Sequence, residues 1–143
     1  IVDFLKMAGP LALAQGITLV VEPLQRGDTN IINTVPEALE YVQAANSPAV
    51  RLLVDSYHFW TEKETLQSVQ DAAAYLGHVH VADLANRAAP GESGPAAAAM
   101  YREFFSVLKR GGYKGYISVE AGTDFSPAAS RVAAFLREQW EQA

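Results

Sequence analysis

Four short, mainly apolar runs recur along the chain, and they restrict its fold more than any other feature. They are ITLVVEPL (17–24), VRLLVDSYH (50–58), HVHVAD (78–83) and GYISVEA (115–121). Strands that are apolar without strict alternation are buried on both faces, as in parallel sheets covered by helices. The sequence therefore predicts an α/β protein with a parallel sheet.

Stretches with the apolar spacing of amphipathic helices separate these runs. The first precedes run 17–24 and places Ile1, Phe4, Leu5 and Ala8 on one face. Four more helices are predicted, at 36–45, 61–76, 97–110 and 127–141.

The predicted helices have recognisable ends. Thr34 and Glu37 have the spacing of a capping box at the start of helix 36–45. Gly111 and Gly112 form a stop after helix 97–110, and Ser126 is the expected cap of the last helix.

Successive βα units leave two parallel architectures, a doubly wound sheet and a (β/α)8 barrel. The Gly-x-Gly-x-x-Gly and Walker A sequences typical of nucleotide-binding sheets are missing. A whole barrel takes about 250 residues, whereas this chain has 143. We therefore expect residues 1–143 to form one (β/α)4 half-barrel domain, strands five to eight of a TIM barrel, as a fragment of a longer protein. The exposed edges of a half-barrel predict either a homo-oligomer or a missing N-terminal half-barrel.

Composition narrows the classes of partner. The net charge of −5 disfavours a nucleic-acid surface. No apolar run reaches the length of a membrane helix, so no membrane partner is expected. The chain has no cysteine, which excludes disulfides and fits a cytoplasmic location.

Each run ends in a side chain that can bind a metal: Glu22, Asp55, His80 and Glu120. The carboxyl ends of parallel strands meet at one rim, where three carboxylates would repel each other without a cation. Three oxygen ligands and one nitrogen suit Mn²⁺, Co²⁺ or Mg²⁺, with Zn²⁺ possible. The alternative is that these residues are unrelated helix caps.

Three neighbours are candidates for binding a polar substrate. Asp28, His58 and Arg87 follow the first three strand ends. Each has a simpler alternative: Asp28 in a turn, His58 packed against Trp60, and Arg87 paired with Glu92. His78 is expected in a lower layer of the sheet, and Asp83 is expected to orient Arg87 or a loop amide. Phe59 and Trp60 are expected either to form an apolar wall over the site or only to cover the end of a helix. The loop 88–100 is expected either to lie over a bound ligand or to be an ordinary connection.

The motifs EPLQRGDTNIINT (22–34), Asp55-x-x-His58, HVHVAD followed by NRAAPG, and GYISVE resemble those of the xylose-isomerase-like TIM barrels. The similar branch contains D-tagatose/D-psicose 3-epimerases, hydroxypyruvate isomerases and inosose dehydratases, and the matching part is its C-terminal half.

The resemblance implies a metal-dependent sugar isomerase or epimerase. Glu22, Asp55, His80 and Glu120 would bind the metal, and Glu22 and Glu120 would move a proton next to a carbonyl. The cation would stabilise the enediolate, while His58 and Arg87 would hold oxygens of a sugar or keto-polyol.

Three features depart from the family pattern. Asp28 and Gln25 stand where the epimerases usually have Glu and Asn. The loop between His80 and Arg87 is one residue longer than usual. The third and largest departure is that strands one to four are missing. Three other functions stay open: a keto-polyol dehydratase, an endonuclease-IV-like enzyme, which the three histidines disfavour, and a catalytically incomplete half-barrel.

Overall fold

The computed structural model describes residues 1–122, 124 and 126–143. Strands and helices alternate along this part of the chain. The strands are β1 (Leu19–Val21), β2 (Val50–Asp55), β3 (Leu76–Val81) and β4 (Ile117–Val119). The helices are α1 (Val2–Ala14), α2 (Val35–Ala45), α3 (Ser56–Thr61), α4 (Leu66–Ala72), α5 (Pro95–Arg110) and α6 (Ala129–Gln142). Short 3-10 segments cover Ala73–Tyr75, Ala85–Arg87 and Ser126–Ala128.

The strands form one parallel sheet in the order β1-β2-β3-β4. This confirms the expected α/β class with a parallel sheet. The register pairs Asp55 with His80, and His80 with Ser118. The carboxyl ends of all four strands consequently lie at the same edge of the sheet.

A register shift between Leu52 and Leu53 interrupts the pairing of β2 with β3. Gly77 lies at this irregularity, where an added Cβ would approach the Cβ of Arg51 to 2.6 Å. Only a glycine allows the two strands to come this close without displacing one of them.

The core fills the space between one face of the sheet and the helices that cover it. Alternation along β2 and β3 turns Leu52, Val54, Val79 and Val81 towards this layer, and all four are fully buried. The largest core side chains come from α5, where Phe104 is completely inaccessible to solvent. The opposite face of the sheet carries the polar side chains described below.

Two predicted helix boundaries are confirmed. The Thr34 side chain and the Glu37 carboxylate form the capping box of α2. Helix α5 ends at Arg110, followed by Gly112 in the left-handed region with φ 73°.

Three expectations about the helices were wrong. The helix predicted at 61–76 is shorter than expected. Within this range, only α4 (Leu66–Ala72) is α-helical beyond Thr61, the last residue of α3, and Lys63 with φ 56° separates the two helices. Helix α1 buries Leu5 but leaves Phe4 60% exposed, since it packs through a face displaced from the predicted one. The last helix is capped at Ala128 without a side-chain bond, because the 3-10 turn containing Ser126 precedes it.

Within the part of the chain that the structure describes, no helix is both long and apolar enough to cross a membrane.

Candidate functional site

The four strand-end side chains converge above the sheet. Glu22 directly follows β1, Asp55 ends β2, His80 lies on β3, and Glu120 directly follows β4. Each offers one ligand atom, and these atoms all lie within 4.8 Å of one another. Parallel topology and the matched register are sufficient to bring them together from positions 25 to 40 residues apart in sequence.

Asp55 has two roles, one for each carboxylate oxygen. Oδ1 accepts a hydrogen bond from the backbone N–H of Tyr57 at 2.8 Å and caps α3. Oδ2 faces the other strand-end side chains and lies 3.0 Å from Nη2 of Arg87. The helix-cap alternative therefore accounts for only one of the two oxygens, and the second oxygen faces the site, where it accepts from Arg87.

Two buried atoms at the centre of the cluster are unsatisfied. Nδ1 of His80 lies 2.8 Å from Oε2 of Glu120 and 3.7 Å from Oε1 of Glu22. Neither His80 Nδ1 nor Glu22 Oε1 makes a hydrogen bond of acceptable geometry with any described residue. Buried polar atoms are almost always paired, so these two lone pairs directed at a common region fit a cation ligated by Glu22, Asp55, His80 and Glu120.

Burial and charge repulsion perturb the acids. Burial, together with the negative charges of Asp55 and Glu120 and against the opposing effect of His80, raises the pKa of Glu22 from 4.5 to about 7. Burial also raises the pKa of Asp55, although the Tyr57 N–H opposes this effect. A carboxylate cluster with raised pKa values is the electrostatic environment that a divalent cation relieves.

Arg87 supplies the positive charge nearest to the cluster. Its Nη2 lies 2.8 Å from Oε2 of Glu120 and 3.0 Å from Asp55, and its Nε donates to the backbone carbonyl of Glu120 at 3.2 Å. The guanidinium also lies 5.1 Å from the centre of the Tyr57 ring. The alternative that Arg87 pairs with Glu92 is wrong, because the loop turns the guanidinium towards the strand ends.

His58 is buried, and its ring is held in one orientation. Its Nδ1 accepts a hydrogen bond from the backbone N–H of Gln25 at 3.2 Å, while its Nε2 lies 3.8 Å from Oδ2 of Asp55. This fixes the proton of the neutral ring on Nε2, which faces the site. Burial lowers the pKa of His58, so the neutral form is favoured. The ring contacts Tyr57 edge-on rather than Trp60.

Asp28 lies at the outer border of the site. It accepts a hydrogen bond from the Gln25 side chain at 3.1 Å, and its Oδ2 lies 3.8 Å from Nδ1 of His58. Its backbone N–H also closes a turn onto Gln25, as the simpler alternative expected. Sequence analysis missed Tyr57, whose hydroxyl accepts from Gln25 at 3.3 Å. Its position two residues after Asp55 was the available signal, since a capping carboxylate bonds there.

The remaining candidates lie outside the cluster. His78 hydrogen-bonds to Ser118 at 2.9 Å one layer lower, as expected. Asp83 accepts hydrogen bonds from loop amides. Trp60 packs against Tyr101 and Phe104 and covers helices rather than the site. The loop 88–100 is shorter than expected, because α5 already begins at Pro95.

A family model described as xylose isomerase-like TIM barrel matches residues 1–139. The chain belongs to this family. The xylose isomerase-like TIM barrels similar to it include the 3-dehydro-D-guloside 4-epimerase of Escherichia coli K12, 31% identical over 119 residues, which are 82% of this chain and 44% of that protein. The ketose 3-epimerase of Arthrobacter globiformis is 30% identical over 128 residues, which are 87% of this chain and 43% of that protein.

A solved structure gives the same result. The 3-keto-D-glucoside 4-epimerase from E. coli superimposes with a TM-score of 0.83 at 29% identity, covering 96% of this chain and 52% of that one. The chain spans about half the length of the family members it matches. The resemblance inferred from the motifs is therefore confirmed at the level of the family.

Proposed function

We propose that the chain is the C-terminal half of a divalent-metal-dependent sugar isomerase or epimerase, a single domain carrying strands five to eight of the barrel. The observation that supports this most directly is the pair of unsatisfied buried atoms, Glu22 Oε1 and His80 Nδ1, among four ligand atoms within 4.8 Å. The epimerase names of the relatives agree with it. Mn²⁺, Co²⁺ and Mg²⁺ suit the ligands best, and Zn²⁺ is compatible with them.

When bound, a divalent cation would act as a Lewis acid that stabilises negative charge on the substrate's oxygens. The protein's own contribution is proton transfer. Glu22 and Glu120 extend from the first and last strands of the sheet, whereas Asp55 and His80 come from the two strands between them. A planar enediolate lying across the middle strands would have one carboxylate available on each side. Removal of the proton by one and delivery by the other inverts a carbon centre.

The substrate in this proposal is a small sugar or keto-polyol. Nε2 of His58 lies 3.8 Å from Oδ2 of Asp55 and the guanidinium of Arg87 lies 3.0 Å from it, so both face the cluster. Both groups are able to donate hydrogen bonds to substrate oxygens. Asp28 lies farther out, where its carboxylate would accept from a substrate hydroxyl. Because Asp28 is also held by the Gln25 side chain, this pair would contribute to the choice of sugar.

The metal site is tested by titrating the purified chain with Mn²⁺ and following free Mn²⁺ by electron paramagnetic resonance. We expect one ion per chain, and loss of that site in Asp55→Ala. The matched control is Asp71→Ala, which removes an exposed carboxylate bonded only to Gln67 among the described residues. Equal binding by Asp55→Ala and the unmodified chain would contradict the ligand assignment.

Proton transfer is tested separately. With ketoses and Mn²⁺ in deuterated water, we expect the C–H next to the carbonyl to exchange with solvent, and Glu120→Gln to abolish this exchange while the circular dichroism spectrum is unchanged. Exchange that persists in Glu120→Gln would refute its role. Product analysis distinguishes the alternatives: a dehydratase would release water from a keto-polyol, and an incomplete half-barrel would bind metal without exchange.

The complement of this half-barrel is a unit of four strands and three helices rather than a second copy of the chain. Helix α1 precedes the edge strand β1 and packs beside α2, and α6 follows the other edge strand, β4, and packs beside α5. Two copies would bring two helices to each junction between sheets, where a barrel has space for one. Apolar side chains on α1 also need a cover, with Met7 64% and Leu11 68% exposed. A discrete dimer of the unmodified chain in light scattering would contradict this view.

The cytoplasmic location is a further part of the proposal and rests on the lack of cysteine.

A further inference from the structure

Asp83 is a fully buried carboxylate that binds the loop carrying Arg87. It follows β3 and is 0% exposed. One oxygen accepts from the backbone N–H of Gly91 at 3.0 Å, and the other accepts from that of Ser93 at 2.7 Å. Its own N–H donates to the carbonyl of Ala88 at 2.9 Å. A single residue thus fixes three points of the loop 84–94.

The segment of this loop next to the site has an unfavourable backbone conformation. Asn86 and Arg87 have φ values of 57° and 50°, and neither is a glycine. Two consecutive residues in the left-handed region are costly and persist only when surrounding contacts impose them. One such contact is the N–H of Gly122, which donates to the carbonyl of Arg87 at 2.7 Å. This conformation places the Arg87 guanidinium against Asp55 and Glu120.

The far end of the loop is also constrained. Gly91 has φ 90°, and an added Cβ there would lie 3.0 Å from the ring of Phe135 on α6. The loop therefore cannot move outwards or inwards at Gly91 without breaking its bond to Asp83 or displacing the Phe135 ring. The conformation at Arg87 depends on both ends of the loop being held.

We infer that Asp83 is a positioning residue, whose carboxylate holds the loop 84–94 in the conformation that directs Arg87 at Asp55 and Glu120. Two oxygens facing two N–H donors require a carboxylate, because an amide would place its NH2 group against one of those donors. The consequence for substrate binding, in which Arg87 holds substrate oxygens, rests on the proposed function. The positioning itself does not require a metal or a substrate.

The test measures hydrogen exchange at the Nε–H of Arg87, which donates to the carbonyl of Glu120. This signal is assigned in a ¹H–¹⁵N spectrum by its loss in Arg87→Lys. In metal-free Asp83→Asn we expect exchange at Nε to accelerate by about tenfold or more, because a lost buried bond to a charged group loosens the loop. The matched control is Ser56→Ala, which removes a buried side chain bonded to Ala82, the residue preceding Asp83.

The outcomes separate positioning from stability and from the proposed function. Faster exchange in Asp83→Asn but not in Ser56→Ala, at equal midpoints of urea unfolding, supports the inference. Unchanged exchange in folded Asp83→Asn overturns it. Should Asp83→Asn lose its fold, Ser93→Pro removes one of the two N–H donors from the exposed side of the loop, and unchanged exchange in that variant would equally overturn it. Because none of these measurements includes Mn²⁺, a failed metal titration would refute the proposed function and leave this result intact.

Discussion

Loss of a proton from Glu22 should set the pH at which the site binds a divalent cation. Burial, reinforced by Asp55 and Glu120, raises the pKa of Glu22 to about 7. A carboxylate ligand must be deprotonated to bind a metal. With a pKa of about 7, roughly half of the molecules have ionised Glu22 at pH 7, about a tenth at pH 6 and about a hundredth at pH 5. The apparent Mn²⁺ affinity should therefore fall about tenfold, or about 1.4 kcal/mol, for each pH unit below 7 and level off above it.

The assay is Mn²⁺ binding by isothermal titration calorimetry from pH 5.5 to 8.5, with Glu22→Gln as the comparison. The variant should bind more weakly at every pH, because a ligand oxygen has lost its charge, and should lack the inflection near pH 7. Calorimetry in buffers of different ionisation enthalpy should show the release of about one proton per ion at pH 6 in the unmodified chain. An inflection that persists unchanged in Glu22→Gln would show that another group titrates and would refute the reasoning.

The stability of the metal-free chain should depend on pH with the opposite sign. A carboxyl group whose pKa is raised on folding favours the folded state when protonated. The contribution of Glu22 is therefore fully present below its unfolded pKa of 4.5 and is lost as the pH rises through about 7. Urea unfolding without metal should show decreasing stability over this window, and saturating Mn²⁺ should restore it above pH 7. Metal-free stability that rises between pH 5 and 7 would contradict the raised pKa.

Two further predictions concern the scaffold, each with a control in the same chain. Thr34→Ala removes the capping bond of α2 and should lower the free energy of unfolding by about 1 kcal/mol. The control is Thr65→Ala, at a cap without a side-chain bond to the described backbone, which should change this free energy little. Equal losses of stability in urea unfolding would show that the capping bond is not the cause. Gly77→Ala should lower the free energy of unfolding by about 1–3 kcal/mol, because the new Cβ would lie 2.6 Å from the Cβ of Arg51. The control is Gly27→Ala, where the atom nearest to an added Cβ is 3.5 Å away, and this variant should be nearly neutral. A neutral Gly77→Ala would mean that the strands can separate at the irregularity.

The sheet and the strand ends could be predicted from the sequence because both follow from short-range patterns. A short apolar run that is rich in β-branched residues and bounded by turn residues favours a strand of a parallel sheet. Once the sheet is parallel, the residue that ends each run must lie at the common edge. Glu22, Asp55, His80 and Glu120 therefore come together without any information about side-chain packing, and the structure places their ligand atoms within 4.8 Å of one another. Their role as metal ligands stays a prediction.

The break between α3 and α4 could not be predicted, because contacts from another part of the chain cause it. The periodicity of 61–76 is compatible with one helix, yet Glu62 binds the loop after β1 and Glu64 binds the first residue of α2. Glu62 accepts from the backbone N–H of Arg26 at 2.7 Å, and Glu64 accepts from that of Val35 at 3.0 Å. A continuous helix would turn these two carboxylates about 200° apart. The chain instead turns at Lys63, and the loop that carries Gln25 and Asp28 is fastened beside the site.

The partners of Arg87 could not be predicted either, because they depend on a backbone conformation and on residues far from Arg87 in sequence. Glu92, five residues away, was the local candidate, yet the guanidinium contacts Asp55 and Glu120, 32 and 33 residues away. Asparagine tolerates a positive φ, but no local propensity favours the same conformation in the arginine that follows it. The conformation exists because Asp83 and Gly122 bind the loop on both sides of it. An arginine directed at two carboxylates by a buried third carboxylate is costly to maintain for stability alone. The arrangement is reasonable where the charge of Arg87 must act at the strand ends, and that requirement connects the fold of this loop to the proposed chemistry.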